Sequence, residues 1–117
     1  MSTRASGELG ERIAAAFLTL KGYRIVDANV RFARREVDLV VAGGGAIVAV
    51  EVKLRWGRRF GMAAESIDER KLARLRVALS GIARETGENG SPRIDVVTID
   101  VDESGDRMSV EHYVGVT

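Results

Sequence analysis

The spacing of apolar residues along the chain changes between two periods, and these periods predict the secondary structure. Apolar residues recur every three or four positions over residues 7–21, which predicts a helix that Gly22 can end. A second helix is predicted over residues 66–84, where Ser66 and Glu69 form a capping box before another apolar stripe.

Five segments rich in β-branched residues predict strands. They cover residues 23–30, 36–41, 46–54, 93–101 and 107–114. The three glycines at 43–45 supply turn chemistry for a hairpin between the second and third strands. The order α-β-β-β-α-β-β favours an α/β sandwich around one mixed central sheet, in one domain spanning residues 1–117.

The composition excludes several kinds of functional site. With no cysteine, the 117-residue chain can form no disulfide, thiolate zinc site or cysteine nucleophile, and the cytoplasm is the expected compartment. The only histidine, His112, excludes sites that need two imidazoles, and its apolar neighbours predict a packed residue without a catalytic role. The longest uncharged run, residues 39–50, is shorter than the ~20 residues of a membrane-spanning helix, so no membrane partner is expected.

Charge is distributed unevenly along the chain although the formal net charge is only +1. Residues 53–76 contain eight basic and three acidic residues, whereas residues 88–111 contain seven acidic and two basic ones. This polarity indicates a face for an anionic partner, while a solvated charged surface is the alternative interpretation.

Charged residues interrupt two neighbouring strands that are otherwise apolar. Alternation places Glu51 and Lys53 on one face of the third strand, and it places Glu36 and Asp38 opposite the apolar residues 37, 39 and 41 of the second strand. If the hairpin pairs Asp38 with Glu51, Glu36 falls opposite Lys53 and the charges converge. A slip of one residue would send Asp38 and Glu51 to opposite faces.

Two close carboxylates repel each other unless a cation lies between them. Mg²⁺ binds one or two protein carboxylates and keeps other positions for water and phosphate oxygens, so the pair is typical of phosphodiester hydrolysis. Spacing alone favours the alternative of an ion-paired sheet face, with Glu36 bound to Lys53 and the other two acids bound to arginines, because short charged motifs often occur without a metal. Glu11 lies beside the apolar stripe of the first helix and is a candidate for a partly buried carboxylate.

Matches to a known family extend over nearly the whole chain. The matching residues are Gly10-Glu11 with Ala14 and Ala15, Gly22-Tyr23-Arg24-Ile25, Asn29 with Arg31, Glu36-Val37-Asp38-Leu39-Val40, Val50-Glu51-Val52-Lys53 with Arg55, and Arg93-Ile94-Asp95-Val96-Val97. With them the sequence resembles the bacterial YraN-like family, part of the PD-(D/E)XK nuclease superfamily that includes archaeal Holliday-junction resolvases. The resemblance implies a restriction-endonuclease-like fold.

The resemblance also implies roles for individual residues. Asp38, Glu51 and the backbone carbonyl of Val52 would bind Mg²⁺ or Mn²⁺, Lys53 would be the catalytic lysine, and Glu11 would be an accessory acid near the metal. Glu36, opposite Lys53, is a further accessory residue. Two positions depart from the family pattern: Arg35 replaces a glycine before the Glu-x-Asp motif, and Leu54 replaces a threonine. Neither departure removes an expected ligand.

Basic and aromatic residues near this site are candidates for binding nucleic acid. They are Arg55, Trp56, Arg58 and Arg59 after the third strand, and Arg70, Lys71 and Arg74 early in the second helix. In the alternative interpretation Trp56 and Phe60 anchor a loop to the core and the basic residues form a solvated surface.

The sequence thus predicts a metal-dependent endonuclease that acts on nucleic acid, DNA in preference to RNA. Branched DNA is suggested by the superfamily resemblance alone. A homodimer is suggested because duplex cleavage commonly uses two active sites. The alternatives are a non-catalytic nucleic-acid-binding or assembly module on the same fold, and a protein-docking domain.

Overall fold

Two helices and five strands make up residues 3–32, 34–57 and 69–116, the part of the chain that the computed structural model describes. The elements are α1 (Thr3–Leu20), β1 (Arg24–Phe32), β2 (Arg35–Gly43), β3 (Ala46–Trp56), α2 (Glu69–Thr86), β4 (Ser91–Val101) and β5 (Met108–Tyr113). This order confirms the predicted one. Ser66 of the predicted capping box lies outside the described residues. Neither described helix is both long and apolar enough to cross a bilayer.

The five strands form one mixed sheet in the order β1-β2-β3-β4-β5. The pairs β1–β2, β2–β3 and β4–β5 are antiparallel, whereas β3 and β4 are parallel. Parallel neighbours need a crossover connection, and α2 lies between these two strands in the chain. The α/β sandwich with one mixed central sheet is therefore confirmed, and it is compatible with a restriction-endonuclease-like fold.

A tight glycine turn sets the register between β2 and β3. Gly43 pairs with Ala46, and the intervening Gly44 and Gly45 have φ angles of +58° and +81°. A two-residue turn with both φ angles positive is the type I′ geometry that glycine adopts without steric cost. The pairing runs along the strands to Leu39 opposite Val50, so the predicted pair of Asp38 and Glu51 lies one residue beyond the end of the ladder.

Each helix covers one face of the sheet. The α1 face has a cluster formed by Ala14, Leu18, Leu39, Val41, Ala46, Val48, Val50, Val97, Ile99 and Val101. The α2 face has a second cluster formed by Val37, Val40, Ile47, Ala49, Leu72, Leu75, Ala78, Leu79, Ile82 and Ile94. Because residues alternate along β3, Glu51 and Lys53 continue the α2 face of that strand.

The β1–β2 ribbon changes face at Asp38. Val37 packs in the α2 cluster although Leu39, two residues on, packs in the α1 cluster. The prediction that these two residues share a face was therefore wrong. The change coincides with the end of the β2–β3 ladder at Leu39. In β1, Asn29 lies between the paired residues Ala28 and Val30 and has a left-handed φ of +52°. Asp38 consequently lies at the boundary between the two layers.

A buried ion network joins β4 to β5. The Asp95 carboxylate accepts two hydrogen bonds from Arg93, each 2.8 Å, and one of 2.9 Å from the backbone N–H of Gly115. His112 Nε2 lies 2.7 Å from the same carboxylate. Asp95 is fully buried and the His112 side chain is 2% exposed, so the prediction that His112 is packed is confirmed.

We expect Asp95→Asn to destabilise the fold by about 3 kcal/mol near neutral pH, because it leaves buried partners uncompensated. Burial raises the pKa of Asp95, but the hydrogen bonds from Arg93, Gly115 and His112 outweigh it and hold that pKa below 3.8. A carboxylate with a lowered pKa stabilises the folded state above its usual pKa, and this contribution is lost as the pH falls through the folded-state pKa. Urea unfolding of both proteins should show the difference shrinking below pH 4.

The exposed Asp106 provides the matched control. Asp106→Asn should change the free energy of unfolding by less than about 0.5 kcal/mol at any of these pH values. Equal effects of the two substitutions would show that the Asp95 network does not stabilise the fold.

Candidate active site

A close approach between α1 and β3 positions the first acidic residue. A Cβ atom at Gly10 would lie 3.1 Å from the Cβ of Leu54 and 3.5 Å from Cγ1 of Val52. Glycine therefore lets the helix approach the end of β3, and the next residue, Glu11, is brought to the sheet. A larger side chain at position 10 would move α1 and Glu11 away.

Three carboxylates from α1 and β2 converge at this end of the sheet. One oxygen each of Glu11, Glu36 and Asp38 lies within 4.8 Å of the other two. Glu36 is exposed, whereas Glu11 and Asp38 are partly buried. The group borders a cleft of about 440 Å³ lined by Gly7, Glu8, Glu11, Asn29 and Glu36.

Among the described carboxylates of this site, Asp38 has the most strongly shifted pKa. Its Oδ2 accepts a hydrogen bond of 2.9 Å from the backbone N–H of Val52. Burial, followed by the charge of Glu51, raises the pKa of Asp38 to about 7, and Glu11 contributes in the same direction. The Val52 hydrogen bond lowers the pKa but does not offset these effects. The site thus holds more negative charge than its own hydrogen bonds compensate.

Asn29 is a site residue to which the sequence reasoning assigned no role. Burial raises the pKa of Glu11, a hydrogen bond with the Asn29 side chain lowers it, and the charges of Glu36 and Glu8 raise it again. Asn29 therefore both has a left-handed φ in β1 and binds an acidic residue of the site. Asparagine within an apolar strand, where it is unfavourable, was the available signal, since asparagine tolerates a left-handed φ.

The α2 side of the site contains Glu51 and two lysines. The Glu51 side chain is 9% exposed, and its Oε2 lies 3.4 Å from Nζ of Lys71. Burial, followed by the charge of Lys71, lowers the pKa of Lys53. The structure thus brings Glu51 and Lys53 beside Asp38 as the sequence predicts, and it adds Lys71, which was predicted to extend a phosphate-binding surface.

The ion pairs that the alternative sheet-face interpretation requires at Glu36 and Asp38 are not seen among the described residues. Among the residues that the structure describes, Glu36 and Lys53 form no ion pair within 4.0 Å, and Asp38 has no arginine partner. Glu51 is paired, but with a lysine of α2.

The predicted nucleic-acid contacts differ in how accessible they are. Trp56 is 46% exposed at the end of β3, and Arg70 and Arg74 are exposed on α2. Arg55 is turned toward the buried Asp100, with its Nε 3.8 Å from Oδ1. The predicted contacts Arg58 and Arg59, together with Phe60 of the alternative, lie outside the described residues. The exposure of Trp56 favours a surface role over an anchor in the core.

We expect Asp38→Asn to stabilise the metal-free protein by on the order of 1 kcal/mol at pH 8. A carboxyl group with a raised pKa stabilises the folded state at low pH, and this contribution is lost as the pH rises from 3.8 through about 7. Asparagine resembles the protonated acid and escapes this loss. Urea unfolding with EDTA at pH 5 and pH 8 measures the effect.

The same measurement on Asp106→Asn, a substitution of an exposed aspartate, should show no difference between the two pH values. If Asp38→Asn gives no greater stability relative to wild type at pH 8 than at pH 5, the proposed charge repulsion at Asp38 is absent.

Comparison with known proteins identifies close relatives of the chain. The profile of the uncharacterised protein family UPF0102 matches residues 10–99. A UPF0102 protein of Symbiobacterium thermophilum is 45% identical over 104 residues, covering 88% of each chain. One of Pelotomaculum thermopropionicum is 41% identical over 108 residues, covering 92% of this chain and 90% of the relative, and one of Moorella thermoacetica is 40% identical over 116 residues, covering 98% and 97%. The YraN-like resemblance is thereby supported, and the chain belongs to the UPF0102 family.

Proposed function

We propose that the protein is a Mg²⁺- or Mn²⁺-dependent endonuclease that hydrolyses phosphodiester bonds in nucleic acid, with DNA as the substrate. The observation that carries the proposal is the convergence of Glu11, Glu36 and Asp38 within 4.8 Å, with Glu51 and Lys53 beside them. Because the UPF0102 family is uncharacterised, membership of it assigns no activity to the chain.

The donor set fits a hard divalent cation. Mg²⁺ and Mn²⁺ prefer carboxylate, carbonyl and water oxygens. Asp38 and Glu51 would hold the ion together with the Val52 carbonyl. Glu11 and Glu36 each have an oxygen within 4.8 Å of one from Asp38, and they would be accessory acids of the site. The repulsion that raises the pKa of Asp38 is of the kind that a bound cation relieves.

A bound ion would supply a water of lowered pKa and would neutralise charge on the phosphoryl group. Lys53 would act on the same reaction as the ion. Its ammonium group is partly buried beside the carboxylates, where it can orient the attacking water or stabilise the developing negative charge on the phosphate. Glu11 can accept a hydrogen bond from that water on the α1 side.

The surroundings of the site support a nucleic-acid substrate. Trp56 and the exposed Arg70 and Arg74 offer a stacking surface and two guanidinium groups near the site. The PD-(D/E)XK resemblance suggests branched DNA among the possible structures of the substrate. A homodimer would supply two active sites for the two strands of a duplex.

We expect the wild-type protein to cleave DNA in Mn²⁺ or Mg²⁺ and to be inactive in EDTA. Asp38→Asn and Glu51→Gln should each reduce the cleavage rate by at least about 100-fold, because each removes a charged ligand from the site. Lys53→Met should have an effect of similar size. Gel assays on single-stranded, duplex and four-way-junction DNA measure these rates and identify the preferred substrate.

Asp106→Asn and Glu85→Gln are the matched controls, since each replaces an exposed acid by its amide, and both should cleave like wild type. Metal-independent DNA binding without cleavage, unaffected by Asp38→Asn or Glu51→Gln, would instead support the non-catalytic binding or assembly module. If the protein shows no salt-sensitive affinity for nucleic acid, the result supports the protein-docking domain.

We expect Arg70→Gln and Arg74→Gln each to weaken DNA binding for all sequences alike. Each should reduce the slope of log K against log salt by about 1, since each arginine neutralises about one phosphate. Fluorescence anisotropy in EDTA measures binding without cleavage. Arg84→Gln, in the last turn of α2, should keep the wild-type slope, and an equal change in all three variants would rule out a localised contact.

A further inference from the structure

Lys71 stands apart from the other basic residues at the start of α2. Its Nζ is 3.4 Å from Oε2 of Glu51, and the two side chains are 29% and 9% exposed. Arg70 and Arg74, which precede and follow it on the helix, are exposed. The contact of Lys71 therefore joins α2 directly to the strand that carries Glu51 and Lys53.

The helical position of Lys71 explains this direction. Residues three or four apart share one face of a helix, and Leu75, Ala78 and Ile82 continue the stripe on which Lys71 lies. All three are buried against the sheet. Lys71 is thus a charged residue at the end of an apolar stripe, at the point where the stripe meets the acidic site.

Lys71 also lies close to Lys53. The charge of Lys71 is among the causes that lower the pKa of Lys53, together with burial. Two ammonium groups therefore border the buried Glu51 carboxylate, which at the same time neighbours Asp38. A residue whose function was only to bind distant phosphates would gain nothing from this placement.

We propose that Lys71 is a positioning residue that holds the Glu51 carboxylate beside Asp38 for hydrolysis. The inference rests on the proposed function, which it extends by assigning a role to α2. Lys71 supplies no ligand to a cation, and its positive charge next to Glu51 opposes the approach of one. Its contribution is therefore expected in the rate of the reaction and not in the affinity for metal or for DNA.

The experiment compares Lys71→Gln, Lys71→Arg and the exposed control Arg84→Gln, about 20 Å further along the helix. Calorimetry measures Mn²⁺ affinity without DNA, and steady-state cleavage at saturating Mn²⁺ gives kcat and KM. We expect Lys71→Gln to lower kcat by at least about tenfold, since small misplacements of catalytic groups are costly. KM should stay within about twofold of wild type and Mn²⁺ affinity should be unchanged or tighter.

Lys71→Arg retains the charge and should recover most of kcat, while Arg84→Gln should match wild type throughout. Circular dichroism tests whether each variant folds. If Lys71→Gln does not fold, Lys71→Met is used in its place. A rise in KM with unchanged kcat would make Lys71 a phosphate contact and overturn the inference, as would weaker Mn²⁺ binding or kinetics equal to those of Arg84→Gln.

The two proposals fail in different ways. If the wild-type protein neither binds Mn²⁺ nor cleaves DNA, the proposed function is wrong, and so is the role of Lys71. Wild-type protein that cleaves DNA, with Lys71→Gln indistinguishable from Arg84→Gln, would remove only the role of Lys71.

Discussion

The arrangement of the site depends on the mutual repulsion of carboxylates that the fold holds together. Asp38 is held beside its neighbours by the hydrogen bond that its Oδ2 accepts from the backbone of β3. In a partly buried position, water screens the repulsion less than it does at the surface. The folded state therefore retains an unfavourable interaction between like charges at this point, and this interaction contributes to the raised pKa of Asp38.

Both layers of the sandwich contribute to this repulsion and to its partial relief. The first helix brings Glu11, which adds negative charge, whereas the second brings Lys71, which offsets the charge of Glu51. Asp38 can interact with both because the β1–β2 ribbon changes face where it lies. The site is consequently a property of the whole sandwich and does not belong to one strand or hairpin.

Much of this arrangement could be predicted because it depends on local rules. Three consecutive glycines define a hairpin whose register extends to Leu39 and Val50, and alternation along β3 then predicts the face of Glu51. The contacts that were missed depend on tertiary geometry. The rotation of α2 that directs Lys71 to Glu51 follows from how the helix packs on the sheet, and the change of face between Val37 and Leu39 occurs where the β2–β3 ladder ends. Similarly, the pairing of Arg55 with Asp100 requires the parallel register of β3 and β4.

The central position of β3 has a consequence for the dynamics of the protein. Residues 46–50 of this strand are paired with both β2 and β4, whereas residues 51–56 are paired with β4 alone. The helix α1 is attached to the sheet by side-chain packing and by the hydrogen bond between Glu11 and Asn29. Amide hydrogens in such interior strands exchange with solvent only through the largest opening events, while a packed helix can shift or fray at lower cost. Glu51 and Lys53 therefore follow directly on the doubly paired interior of β3, whereas Glu11 lies on a helix that can shift relative to the sheet.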